Sequence, residues 1–183
     1  MRALLLLVCV FFSCSESSLP KPKGFLALKY PIAQYNSFQT DCDFHFLVNR
    51  SAQIEFSDAC NVEIYYPEMK ATFFITHFDV NNNLNTLLED VQKKLEEQSL
   101  GSTRIQQSAF EDPNRRVFGS MFTVEADVAS NLQFFVTDQQ RNFISGSLYI
   151  KARPNYDSII PTIEYLKKDV KKLIQTFEWK EVN

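Results

Sequence analysis

The chain has 183 residues, with 19 Lys and Arg against 22 Asp and Glu and a formal net charge of −3. That length suits one domain with a full core, and the mildly acidic balance argues against a nucleic-acid partner, which would call for a basic face. Phenylalanine is abundant at 17 and glycine scarce at 4, which describes a filled globular interior without low-complexity sequence.

The N-terminus opens with one positive charge, Arg2, followed by the apolar run Ala3 to Phe12. A bilayer span needs about 20 apolar residues, so this run is too short to cross. Residues 1–13 read as a secretory signal, with the small Ser13 at the cleavage side. Ser13 followed by Cys14 resembles a bacterial lipoprotein box, in which the signal is cut before the cysteine and that cysteine carries the lipid. Phe11 and Phe12 stand where such boxes usually have leucine and small residues, and an ordinary signal peptide that contains a cysteine is the alternative. Cys9 follows the bulky Val8 and fits the box less well. A diacylated or triacylated Cys14 would hold the protein stably, since one chain alone anchors only marginally. Of the four cysteines, Cys9 leaves with the signal and Cys14 takes lipid. The remaining two, Cys42 and Cys60, read as one disulfide in an oxidising compartment. A metal site is the other option, but two thiols are too few ligands.

Residues 14–24 form the lipid-anchored tether, kept extended by Pro20, Pro22 and the final Gly24. A single domain is expected over 25–183. Short runs rich in β-formers predict strands at 44–48, 53–56 and 62–66, and a longer one at 71–78. That last run is apolar on both faces, with Ala71, Phe73 and Ile75 on one and Phe74 and Phe78 on the other. The period then changes: Leu84, Leu87, Leu88, Val91 and Leu95 share one helical face, Asn82 or Asn83 supplies a cap, and Gly101 a stop. Strands at 116–126, 131–136 and 143–151 read as an antiparallel meander. The closing helix carries Ile159, Ile163, Leu166, Val170, Leu173 and Phe177. Ser158 is its expected N-cap, which places Pro161 in the first turn. A sheet apolar on both faces needs cover on both. The expected fold class is therefore α+β, an antiparallel β-sheet flanked by helices, and the element order resembles the Mog1/PsbP-type α-β-α sandwich.

Little in the chain points to chemistry. His45 and His77 lie on strands without ligand-spaced partners, and no phosphate-binding loop, zinc-binding helix or nucleophile elbow occurs. Glu89-Asp90 and Glu96-Glu97 fall on the solvent face of a helix. Lys167, Lys168, Lys171 and Lys172 give the last helix a basic face, either plainly solvated or turned to an acidic partner or anionic lipid. Gly119 and Gly146, inside strands, read as close-packing positions. Asn49-Arg50-Ser51 matches a glycosylation sequon, and Asp157-Ser158-Ile159 resembles a short O-glycosylation motif. No catalytic residue, metal site or cofactor is expected.

Several longer strings resemble one family. They are PKPKG at 20–24, LxYP at 28–31, the pair Asp41-Cys42 and Cys60, YPxxKAT at 66–72, NNNL at 81–84 and FGxxFxV at 118–124. The most distinctive is GSLYxxAxPNYDSIxP at 146–161. In this order they resemble the gliding-motility lipoprotein GldD family of the Bacteroidetes, over nearly the whole mature chain. The resemblance implies a non-catalytic envelope lipoprotein needed for gliding and for type IX protein secretion. It would be anchored in a membrane by its N-terminal lipid, face the periplasm, and act through other envelope proteins of that machinery; Ser15 after Cys14 is compatible with sorting to the outer membrane. Pro154, Asn155, Tyr156 and Asp157, a polar corner leading into a helix N-terminus, form the expected partner-binding surface. A periplasmic module that binds a lipid or small ligand between sheet and helices is the alternative, and an enzyme is a third possibility for which no residues can be named.

Overall fold

In the computed structural model, the structure describes residues 29–180 apart from 39, 58, 99–103 and 152–154. The elements follow in the order β1 (Tyr35–Asn36), β2 (Phe44–His45), β3 (Val48–Asn49), β4 (Gln53–Phe56), β5 (Val62–Tyr66) and β6 (Ala71–Asp79). Then come α1 (Leu84–Gln98), β7 (Arg104–Asp112), β8 (Val117–Glu125), β9 (Leu132–Thr137), β10 (Asn142–Ile150), α2 (Tyr156–Gln175) and β11 (Glu178–Trp179). Seven strands form one sheet in the order β4-β5-β6-β10-β9-β8-β7, every pair antiparallel. The fold is α+β, as the pattern predicts, and β8, β9 and β10 form the expected meander.

The period-2 alternation of the strands decides which side chains meet which helix. In β5, Val62, Ile64 and Tyr66 turn inward while Glu63 and Tyr65 stay exposed. In β8, Met121 enters the main core and its neighbour Phe122 the smaller one on the other face. The main core lies under α2, through Leu166, Val170, Leu173 and Ile174, and also takes Phe44, Phe46 and Phe177. Phe177 stacks at 5.7 Å on both of those rings. The second core lies under α1, where Val91 and Leu95 meet Phe122, Val124 and Phe143. Gly146 lets the layers close: a Cβ there would stand 2.2 Å from the ring of Phe134.

Four local expectations change. The run 44–48 is two strands with different partners, β2 pairing with β11 and β3 with β1. Both ends of the domain are thereby tied to one short segment. β7, an edge strand, has no counterpart in the sequence reading; it is exposed along most of its length yet keeps full register with β8, from Arg104 opposite Glu125 to Asp112 opposite Val117. Helix α2 begins at Tyr156 with Asn155 at the N-cap, so Ser158 and Pro161 both lie inside it. Finally, Phe74 and Phe78 are exposed rather than covered. Helix α1 roofs only the β8–β10 side of its face.

Candidate functional site

Residues 30–36 run across α2. The Tyr30 ring lies 4.9 Å from that of Tyr165, and its hydroxyl hydrogen-bonds the Thr162 hydroxyl at 2.8 Å. The Tyr165 hydroxyl donates to the Pro31 carbonyl at 3.1 Å. The Tyr35 hydroxyl donates to Asp169 Oδ1 at 2.6 Å, and Asn49 Nδ2 donates to Asp169 Oδ2 at 2.8 Å and to the Tyr165 hydroxyl at 2.9 Å. Asp169 is only 5% exposed, so its carboxylate is held by hydrogen-bond donors inside the protein. Burial, and then the adjacent carboxylate, push the Tyr35 and Tyr66 hydroxyls above the ordinary tyrosine range. Both stay protonated and can keep donating. Lys172 Nζ sits 5.8 Å from the Tyr35 ring centroid, a cation over an aromatic face.

This arrangement clamps residues 30–36 onto α2. The cavity beside Asn49, Tyr66 and Asp169 measures about 10 Å³, the room of a single water. Two open grooves flank Phe38. One of about 570 Å³ is lined by Thr40, Asp41, His45 and Lys180, the other of about 460 Å³ by Asn36, Val48, Arg50 and Ile54. Three of their polar side chains are engaged within the protein. His45 Nε2 lies 3.1 Å from Glu178 Oε2, Lys180 Nζ donates to the Thr40 carbonyl, and Arg50 Nε donates to Asn36 Oδ1 at 2.7 Å.

The residues singled out in the sequence fare differently. Cys42 and Cys60 are joined in a disulfide with Cα atoms 5.6 Å apart, fastening the approach to β2 onto the β4–β5 turn. Cys14 and Pro154 lie outside the described residues. At the corner, Asn155 makes no side-chain cap; instead Asp127, from the β8–β9 connection, accepts the Tyr156 N–H at 2.6 Å. Ser158 Oγ donates to the Asn155 carbonyl at 2.8 Å. The Tyr156 hydroxyl is pushed up by burial and by the carboxylates of Glu125, Glu164 and Asp157. An anion therefore already sits at this helix N-terminus, and three more carboxylates lie near the Tyr156 hydroxyl. His77 Nε2 hydrogen-bonds Asn142 Oδ1 at 2.9 Å. Among the described residues no three His, Cys, Asp or Glu side chains gather as a metal site, and no helix is long and apolar enough to cross a membrane.

Sequence reasoning missed the Asp169 clamp, although one signal existed. Asp169 falls three residues after Leu166 and four before Leu173, on the apolar stripe of α2, where an acid needs buried partners. The far end of the same helix is held by Arg115. Asp112 Oδ2 accepts from Arg115 Nε at 2.8 Å, and the guanidinium donates to the Gln175 and Phe177 carbonyls at 2.8 and 3.0 Å. A cation at carbonyls left over by the helix is favourable there.

Compared with known proteins, the chain matches none of the curated ones. A family model described as gliding motility lipoprotein GldD matches residues 15–179.

Proposed function

The chain belongs to the gliding motility lipoprotein GldD family, and from that premise we propose that it is a non-catalytic envelope protein, lipid-anchored through Cys14, that serves gliding and type IX protein secretion by holding other envelope proteins in place. It faces the periplasm from the outer membrane. The observation that supports this reading is the clamp of residues 30–36 on α2, directly beyond the tether. Residues 15–29, between Cys14 and the clamped Tyr30, span at most about 50 Å when extended. The domain therefore works close to its membrane, and force on the lipid reaches α2 and the main core through Tyr30, Tyr35 and Asp169. Such coupling suits a scaffold. It does not call for a turnover site.

The test is made in a deletion strain of the cell that produces the protein. Type IX cargo should vanish from the culture fluid and gliding should stop. Wild type and a variant with both His45 and His77 replaced should restore both, and Cys14→Ala should leave the membrane fraction and fail. Normal secretion in the deletion strain would separate the protein from that machinery. Cys14→Ala protein that stays membrane-bound would remove the lipid anchor.

A further inference from the structure

Ile32 is 91% exposed, more than any other large apolar side chain among the described residues. It does not sit on a loose end. Before it, the Tyr30 hydroxyl bonds Thr162 and the Pro31 carbonyl accepts from Tyr165. After it, Tyr35 donates to Asp169, and the Gln34 carbonyl accepts the Arg50 N–H at 2.7 Å. The clamp thus holds an isoleucine out in water, where it adds nothing to the core. A single exposed apolar side chain is ordinary by itself; the charges around this one are not.

Tyr165 and Lys172, which the segment touches at its two ends, share one stripe of α2. Lys168 falls between them on that stripe, three residues after one and four before the other. Lys168 and Lys171 are exposed and form no ion pair among the described residues. Exposed Lys29 precedes the segment, and exposed Arg50 bonds its Gln34 and Asn36 side chains. The acids nearby are accounted for. Glu164 pairs with Lys167 at 3.5 Å, and Glu178, beyond the helix, faces His45. Asp157 lies eleven residues before Lys168, about 16 Å along the helix and past the screening length of about 8–10 Å. Glu68 and Lys70, in the turn after Tyr66, offset each other, and Lys151 beside them adds a cation. Lys29, Arg50, Lys168, Lys171 and Lys172 therefore stand against the one buried carboxylate of Asp169. The outer face of α1 has the opposite sign, because exposed Glu89, Asp90, Glu96 and Glu97 outnumber Lys93 and Lys94.

An apolar tip flanked by cations matches a membrane interface, which offers anionic headgroups above an apolar boundary. A protein partner fits less well. Lysine is depleted at protein interfaces, and one isoleucine falls far short of the roughly 800 Å² that a stable contact buries on each side. The chain itself also points to lipid, since only residues 15–29 separate Cys14 from the clamp, at most about 50 Å. We propose that the face of α2 carrying residues 30–36 lies against the membrane, with Ile32 in the interface and Lys168 and Lys171 on anionic lipid headgroups. The inference rests on the reading of the protein as lipid-anchored and gives the anchored domain an orientation. The acidic outer face of α1 then points away from the membrane.

The experiment uses the full-length lipoprotein in vesicles of phosphatidylcholine, alone or with an equal part of phosphatidylglycerol. Ile32 is replaced by the photo-crosslinker p-benzoyl-phenylalanine, and Lys93 on α1 is the control position. Irradiation should join position 32 to lipid, about five-fold more in the anionic vesicles, the factor expected from even one lysine near a charged surface. Lys168→Glu with Lys171→Glu should erase that gain at an unchanged melting temperature. Should that pair unfold the protein, Lys168→Gln with Lys171→Gln must remove most of the gain instead. Equal yields in the two vesicles would overturn the proposal. So would a yield no higher than at Lys93, or a gain that survives the lysine substitutions. In the cell that makes the protein, an adduct to an acidic protein in place of lipid would overturn it as well. The anchor is read separately, by flotation after a high-salt wash. Wild type should stay with the vesicles, and Cys14→Ala should bind the anionic ones at low salt only. If Cys14→Ala survives the wash, the anchor reading falls, and the crosslink contrast alone decides the face.

Discussion

Asp169 shows how one side chain can organise a layer. It sits on the apolar stripe of α2 and accepts from Tyr35 and Asn49, residues of β1 and β3 more than a hundred positions away in the chain. Asp169→Ala would strand those donors in the interior, at a cost of about 3 kcal/mol. For a domain of this size that is a fall of roughly 6–12 °C in melting temperature, to be measured by thermal unfolding. Asp169→Asn should recover part of the loss, because its oxygen still accepts while its amide faces donors. A shift below about 2 °C in the alanine variant would mean that the clamp is not structural. Gly146 is the opposite case, since its role was legible: a glycine inside a strand signals close approach, and the Phe134 ring fills the space a side chain would need.

Elements were legible where one face is buried and obscure where none is. The alternation in β5 matches its burial residue by residue, and Ile163, Leu166, Val170 and Leu173 of the expected α2 stripe are buried. β7 escaped because a strand exposed along most of its length writes no period; its pairing with β8 and the packing of Phe110 against the main core hold it. The strand expected over 44–48 divides because β1 and β11, distant in sequence, each claim one end of it. The cap of α2 likewise comes from Asp127 rather than a neighbour, beyond any local window. The disulfide joins such distant pieces by covalent means, closing a separation of 18 residues. In the chain-entropy model a loop of that length is worth about 3 kcal/mol. Replacing both cysteines by alanine should lower the unfolding free energy by about that much, read from the urea midpoint at unchanged slope. An unmoved midpoint would dismiss the staple.

At the scale of the molecule, α2 is the closing element. Its Ile163, Leu166, Val170, Leu173 and Ile174, with Phe177 beyond it, are all buried. Fully burying such a side chain is worth about 1.5–3 kcal/mol. Six of them come to on the order of 10 kcal/mol, comparable to the whole stability of a domain, about 5–15 kcal/mol. A chain ending before Pro154 should therefore show no cooperative melting transition; a native-like one would show that the core lies elsewhere. The other face teaches a different lesson. Apolar residues on both sides of 71–78 implied helices over both, yet α1 covers only part and leaves Phe74 in solvent. By itself the sequence determined the fold class, the family and the cysteine pair, because each is written in local periodicity, in composition or in a contiguous motif. Only the tertiary structure decided that Asp169 meets Tyr35 and Asn49, that Asp127 caps α2, and that Phe74 stays in solvent. Periodicity sets whether a side chain turns inward, but what it meets depends on how segments far apart in the chain pack together.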